Sequence, residues 1–289
     1  MSEALGNMRR FVLTLACPDR KGIVAAVSHF LLEQGCNILD SAQFGDTSNG
    51  RFFLRMVFVA EQATDADRLR AAFAPIAAEF DMAAELHDVA VKVRTLVMVS
   101  KFGHCLVDLL YRNRIGALPV EIVKIVSNHR DLEDVASAHG VPFAYLPVNK
   151  TNKAEQEQAL LRIIEEDRVD LTVLARYMQI LSPDLCARLA GRAINIHHSF
   201  LPSFQGARPY SQAHGRGVKL IGATAHYITA ELDEGPIIEQ AVERVTHALS
   251  PEDYAAVGRD IESVVLARAV KWHAEHRILP NGRRTVIFS

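Results

Sequence analysis

The sequence has no apolar run long enough to cross a bilayer. Its longest, Thr95–Val99 with its flanks, falls far short of the roughly twenty residues a spanning helix needs. Met1–Arg10 holds no apolar stretch ahead of a small-residue cleavage site, so no secretory leader is expected and the cytoplasm is the expected compartment. Cysteine is scarce and scattered: Cys17, Cys36, Cys105 and Cys186 form no CxxC pair. This argues against a zinc ribbon or a disulfide framework and suits a reducing compartment. Charge of one sign is missing too. A net charge of −2 with mixed signs leaves no electrostatic footprint for nucleic acid, although a local patch would still serve a small anionic substrate. No internal repeat and no low-complexity segment interrupts the chain. What remains is an ordinary globular composition, 49% hydrophobic and 23% charged, sufficient for a sizeable core; its 289 residues suit about two domains.

The pattern divides near residue 90. The first part, residues 1–90, reads as β-α-β-β-α-β. Phe11–Ala16 is an apolar strand, Cys17–Gly22 a turn, and Ile23–Gln34 a helix stopped by Gly35. Asn37–Phe44 and Arg51–Val59 are strands joined by a loop rich in turn formers, Gly45–Gly50. Asp65–Phe80 is a helix and Ala83–Asp88 a last strand, giving a ferredoxin-like layer. The second part, residues 91–289, alternates strands and helices, as a mostly parallel α/β sheet does. Arg94–Ser100, Glu121–Ser127 and Asp170–Ala175 are dense in Val, Ile and Leu, as strands covered on both faces must be. Helices are expected at Cys105–Arg114, Leu132–His139 and Lys153–Asp167, and further strands at Ala193–His197 and Ala223–Ile228. Pro251–His276 reads as a closing helix with Ser250 as N-cap.

The stretch richest in chemistry is Asn195-Ile196-His197-His198-Ser199-Phe200-Leu201-Pro202. Strand side chains alternate faces, so Asn195 and His197 project together while Ile196 turns back into the sheet. An amide that can stabilise an oxyanion and an imidazole that can move a proton then meet where a parallel sheet ends. The same pair also suits an amide satisfying a loop backbone beside an ordinary polar histidine, and spacing alone does not choose between them. A second stretch runs from His226, at a strand end, into Glu231-Leu232-Asp233-Glu234-Gly235. A carboxylate on such a loop can reach an imidazole, hold its tautomer and raise its basicity. A solvated acidic turn is the commoner reading of Asp-Glu-Gly alone.

Together, Asn195-Ile196-His197, Ser199, Leu201-Pro202, His226 and Asp233-x-Gly235 resemble the signature of the folate-dependent formyltransferases. The resemblance implies a Rossmann-like domain from about Val93 to Ser289, with Asn195, His197 and Asp233 as the catalytic set. Leu174-Ala175-Arg176-Tyr177-Met178-Gln179-Ile180-Leu181-Ser182 resembles that family's folate-pocket strand end. It implies substrate contacts from Leu174, Met178, Gln179, Ile180 and Leu181, joined by His198, His226 and Gly235. The same segment also reads as a buried strand followed by an N-cap.

Two departures point to the hydrolytic, formyltetrahydrofolate deformylase branch. Where a ribonucleotide transferase has a glycine-rich phosphate loop, this chain has Ser100-Lys101-Phe102-Gly103-His104-Cys105-Leu106, whose single glycine cannot lay out several N–H groups around a phosphate. His198 stands where many transferases carry proline. The resemblance then implies hydrolysis of 10-formyltetrahydrofolate to formate and tetrahydrofolate, with the folate as substrate, no separate cofactor and no metal. His198, Arg208 and Tyr210 are expected to narrow the opening. Pro18-Asp19-Arg20-Lys21-Gly22-Ile23-Val24 resembles the opening of an ACT domain, a module that binds amino acids. It implies an effector such as glycine or methionine, contacts from Asp19, Arg20, Gly22, Ile23 and Asn37, and a homodimer or homotetramer. Three rivals remain: formyl transfer to an amine acceptor, a metal hydrolase built on His197, His198 and His226, and a non-catalytic amino-acid sensor.

Overall fold

Alternation of apolar side chains organises the first sheet. In the computed structural model, which describes residues 8–61, 64–202 and 209–289, β1 (Met8–Pro18) lies at the sheet's interior. It is antiparallel to β3 (Arg51–Glu61) on one side and to β4 (Ala83–Asp88) on the other; β2 (Asn37–Asp46) forms the edge beyond β3. The register sets Phe11 opposite Phe58, Leu13 opposite Met56 and Leu15 opposite Leu54. One face therefore buries against α1 (Ile23–Glu33) and α2 (Ala66–Glu79), through Phe30 and Phe73 among others. Burial of such large side chains is worth about 1.5–3 kcal/mol each. β1 runs to Pro18, past the expected Ala16. Its pairing with β4 stops at Ala16, so Pro18, which lacks an N–H, sits where only one neighbour needs a donor.

The other face of β3 is also covered. Phe53 packs with Leu279, Val286 and Phe288, and the buried Arg55 donates from Nε to His276 O at 3.0 Å and from Nη2 to Glu275 O at 3.0 Å. These partners lie in and around the hairpin of β12 (Ile278–Asn281) and β13 (Arg284–Ile287). Contacts accordingly place Glu275–Asn281 and Val286–Ser289 with the first unit, and Val93–Ala274 with Gly282–Thr285 in the second. The sequence reading ran the second domain unbroken to residue 289. An alternating strand such as β3 gives no local sign of which distant segment covers its second face.

The second unit carries a seven-stranded sheet in the order β11-β10-β9-β8-β5-β6-β7. Its parallel strands are β5 (Val93–Val99), β6 (Val120–Ser127), β7 (Phe143–Tyr145), β8 (Leu171–Leu174) and β9 (Ala193–His197). β10 (Leu220–Tyr227) runs antiparallel to β9 and to β11 (Ile237–Arg244). Helices α3 (His104–Arg114), α4 (Glu133–Ala138), α5 (Lys153–Glu166), α6 (Pro183–Arg188), α7 (Pro209–Gly215) and α8 (Pro251–Ala274) connect and flank the strands. Ser182 caps α6 by accepting from Leu185 N at 3.2 Å. Ser250 caps α8, accepting from Asp253 N at 3.2 Å while its own N–H donates to the Asp253 carboxylate. β5 has β6 on one side and β8 on the other, so the connection leaving β5 and the strand arriving beside it diverge. That divergence opens a crevice at the carboxyl ends of the strands, where open α/β sheets bind ligands. Among the described residues no helix is long and apolar enough to cross a membrane. The readings of Met1–Asn7 and of Arg208 lie outside the described residues.

Candidate active site

The crevice is built where β5, β8 and β9 end. At the β5 end, the buried Ser100 donates to Asn128 Oδ1 at 2.7 Å and accepts from the Met178 N–H at 3.0 Å, fixing the chain that leaves β8. At the β9 end, Asn195 lies directly opposite His226 of β10. Directly opposed residues of an antiparallel pair share a face, and Asn195 Nδ2 is 3.3 Å from His226 Nε2. His226 Nδ1 sits 2.9 Å from Tyr227 O and must donate to it, since a carbonyl only accepts. Nε2 is then the acceptor for one Asn195 N–H, and the second amide N–H is left for the crevice. The fully buried Thr224 anchors the chain beyond the histidines: its Oγ1 donates to Ser199 O at 2.9 Å and accepts from Leu201 N at 3.1 Å.

The carboxylate arrives by a fold-back of the loop after β10. Tyr227 N–H donates to Pro236 O at 3.0 Å, and an added Cβ on Gly235 would lie 1.7 Å from Tyr227 O. Only glycine permits that approach. Asp233 itself adopts φ of 59°, a left-handed conformation rare outside glycine. Its Oδ1 lies 3.2 Å from His197 Nδ1 and 3.7 Å from His226 Nε2. Burial favours the protonated acid, but the hydrogen bond from His197 outweighs it and holds the Asp233 carboxyl well below its usual range. The opposite nitrogen of His197, Nε2, is buried and has no hydrogen-bond partner among the described residues. His198 follows with its ring 5.2 Å from that of His197; burial, the Arg176 guanidinium and His197 push its pKa down to about 3.

Asn195, His197 and Asp233, from two separate strand ends, therefore converge on one cavity of about 320 Å³. Leu174, Met178, Gln179, Ile180 and Leu181 line its wall after β8, and His198 and His226 line it nearer the triad. Gly235 does not line it and packs behind it, against Tyr227 and His226. The expected pair of outlooks for β9 is altered in one respect: Ile196 is buried yet also contributes to the cavity wall. His226 engages both ring nitrogens, on Tyr227 O and Asn195, which makes it a poor member of a metal-ligating set with His197 and His198. Among the described residues the grouping with ligand-like spacing lies elsewhere, at His104, Cys105 and Glu262.

The sequence reading missed two residues of consequence. Arg176 lines the cavity inside the quoted strand-end segment; its left-handed φ of 65° leaves no local signature. Glu262, in the middle of α8, is fully buried and contacts Tyr210, His104 and Arg176. A lone glutamate in a long helix looks like any solvated helical charge, and only its apolar neighbours Val264-Val265-Leu266 hint otherwise.

In the first unit, Asp19, Arg20 and Gly22 share an exposed turn before α1, tied by Asp19 N–H to Gly50 O at 2.8 Å. Arg20 hydrogen-bonds Glu79 O and covers the Phe80 ring at 4.4 Å, and Gly22 takes φ of 97° at the helix start. The Ile23 side chain points into the core, and Asn37 opens the exposed edge strand β2. A cavity of about 240 Å³ in the same unit is lined by Leu13, Arg70, Phe73 and Glu85 and involves none of that set.

Comparison with known proteins agrees with this architecture. Residues 93–270 match the formyl transferase family and residues 9–87 the ACT domain. The formyltetrahydrofolate deformylase of Corynebacterium sp. (strain P-1) is 50% identical over 279 residues, covering 96% of this chain and 98% of the relative. That of Bacillus subtilis (strain 168) is 48% identical over 286 residues, 98% of this chain and 95% of the relative. The crystal structure of formyltetrahydrofolate deformylase from Burkholderia mallei superposes with a TM-score of 0.93 at 54% identity, covering 97% of this chain and 100% of that one.

Proposed function

The chain belongs to the formyltetrahydrofolate deformylases and hydrolyses 10-formyltetrahydrofolate to formate and tetrahydrofolate, and from that premise we propose that Asn195, His197 and Asp233 carry the reaction. The observation that supports this most is the convergence of an amide, an imidazole and a carboxylate on one cavity, with Asp233 Oδ1 3.2 Å from His197 Nδ1. With Nδ1–H held by Asp233, His197 Nε2 is the free lone pair that takes a proton from water. The water oxygen attacks the formyl carbon, and the free Asn195 N–H stabilises the oxyanion that develops on the formyl oxygen. The C–N10 bond then breaks with its electron pair on N10, which receives the proton from His197, and the formic acid set free gives its remaining proton to solvent to become formate. Leu174, Met178, Gln179, Ile180, Leu181, His198 and His226 would bind the folate, and Gly235 would hold the Asp233 loop in place.

Formate release from 10-formyltetrahydrofolate, with no amine supplied, tests the assignment. Losing one oxyanion donor costs about a hundred- to a thousandfold in rate, and Asn195→Ala should show that loss. An Asn195→Ala enzyme as fast as the parent would remove the amide from the chemistry.

The remaining readings are coarser. The ACT unit supports binding of an amino acid, glycine or methionine, by the backbone of the Asp19–Ile23 turn and by Asn37. Strand β2 is exposed along nearly its whole length, Ile38, Leu39 and Phe44 included, which supports pairing of ACT units into a homodimer or homotetramer. The scattered free cysteines fit a cytoplasmic enzyme, and the formate it releases would supply purine biosynthesis and balance the one-carbon pool.

A further inference from the structure

We propose that Arg176 is the residue that recognises formate in this reaction, its guanidinium receiving the carboxylate as the C–N10 bond breaks, with Glu262 as the positioning residue that holds it. This rests on the hydrolytic reading above. Several independent features of Arg176 call for an explanation. It lies two residues past the end of β8 and holds φ of 65°, where a non-glycine residue is strained. Its side chain is nine-tenths buried, yet Nη1 has no hydrogen-bond partner among the described residues. Nε lies 3.3 Å from Glu262 Oε2 without the alignment of a hydrogen bond. A strained backbone and a buried cation with idle donors are both costly, and such features persist where the side chain has something to bind.

The surroundings fix the guanidinium without saturating it. Glu262 gives Oε1 to the Tyr210 hydroxyl at 2.6 Å and Oε2 to His104 Nε2 at 2.8 Å, so its best acceptor directions are already taken. The Phe102 ring lies 5.7 Å from the guanidinium carbon, within cation–π range. Tyr210 is seated over Gly258 of α8, where an added Cβ would lie 2.1 Å from the tyrosine ring. Gly258 and Glu262 are one helical turn apart, so α8 offers a seat for the ring and an acceptor for its hydroxyl together.

The cluster His104, Cys105 and Glu262 has metal-like spacing, but a guanidinium already stands against the carboxylate. Burial and the Glu262 charge also push the Cys105 thiol up. The ligand chemistry left is anionic. Arg176 is the only arginine or lysine among the described residues lining the cavity that contains Asn195, His197 and Asp233. Hydrolysis delivers one small anion there: the formyl carbon departs as formate, with one oxygen from the formyl group and one from water. A guanidinium fork matches a carboxylate, whereas formyl transfer to an amine would release none.

The test is product inhibition of the hydrolysis by sodium formate, with tetrahydrofolate formation as the readout. Arg176→Gly suits the left-handed backbone, and pairing it with Glu262→Gln avoids leaving a buried charge alone. The double variant, checked for folding by its thermal melt, should raise the formate inhibition constant and lower kcat by about ten- to a hundredfold, the usual scale for a charged hydrogen bond. Added guanidinium should restore part of the rate. Arg176→Lys keeps the charge but not the fork and should fall between. Formate that does not inhibit the parent enzyme, or inhibits both variants with the parent's constant, overturns the proposal. Failure of the Asn195 mechanism reads separately, because Asn195→Ala leaves Arg176 and its formate constant in place.

Discussion

Asp233, half-buried, and Glu262, fully buried, are both carboxylates held below their usual pKa range, yet they are held in opposite ways. Asp233 comes in on a folded-back loop with a left-handed backbone, and its partners, His197 and His226, are imidazoles that can gain or lose a proton. Glu262 sits in the middle of α8, and hydrogen bonds with His104 and Tyr210 and the charge of Arg176 outweigh its burial to keep it ionised. One carboxylate faces groups whose charge can change during a reaction; the other is enclosed by groups that fix its own. Local strain at Asp233 brings it to His197, while Glu262 is held in the interior beside Arg176.

Exchanging the two roles by mutation should reveal the difference. Glu262→Ala leaves Arg176 buried without its counter-charge and should cost about 3–5 kcal/mol of stability in denaturant titrations, the usual penalty for halving a buried pair. A melt equal to the parent's would mean that the cluster supports nothing. Asp233→Asn should show the converse pattern, folding like the parent but losing about a hundredfold or more in rate, because the proposed general base would lose its orienting carboxylate. A fast Asp233→Asn enzyme would erase the contrast.

A subtler effect separates the histidines. His198, with its pKa pushed down to about 3 from 6.5, stays neutral in the fold at pH values where the unfolded chain binds a proton. The sign follows: stability is unaffected above 6.5 and falls as the pH drops below it, by about 1.4 kcal/mol per pH unit. Between pH 6.5 and about pH 5 the parent should lose about 2 kcal/mol that His198→Gln does not. Parallel stability curves for the two proteins would contradict this. The smallest change expected is Ser100→Ala, which removes the donor to Asn128 and the acceptor for Met178 N–H. It should cost about 1 kcal/mol and weaken substrate binding more than turnover, a split visible in KM against kcat.

Much of this was legible before folding. The alternation of Phe11, Leu13 and Leu15 and the Val/Ile-rich runs of β5, β6 and β8 declare strands, and Ser250-Pro251 declares the start of α8. Two strands escaped: β7 has three residues, too few for a period to show, and β11 carries charged residues along an edge. Asn195, His197 and Asp233 stood out because their residue types and the surrounding strand ends are local features. Arg176 and Glu262 did not, since little in their own neighbourhoods beyond the apolar Val264-Val265-Leu266 distinguishes a buried charge from a solvated one.

The sequence alone settled which segments alternate with which period and which chemical groups are available, because both follow from side-chain type and from order along the chain. The tertiary structure alone decided that β9 and β10 pair with Asn195 opposite His226, that the loop before Gly235 folds back to bring Asp233 to His197, and that α8 returns to set Glu262 beside Arg176. Those choices rest on contacts between residues far apart in the chain. No local pattern encodes them, because their stabilisation arises only when the two partners are buried together.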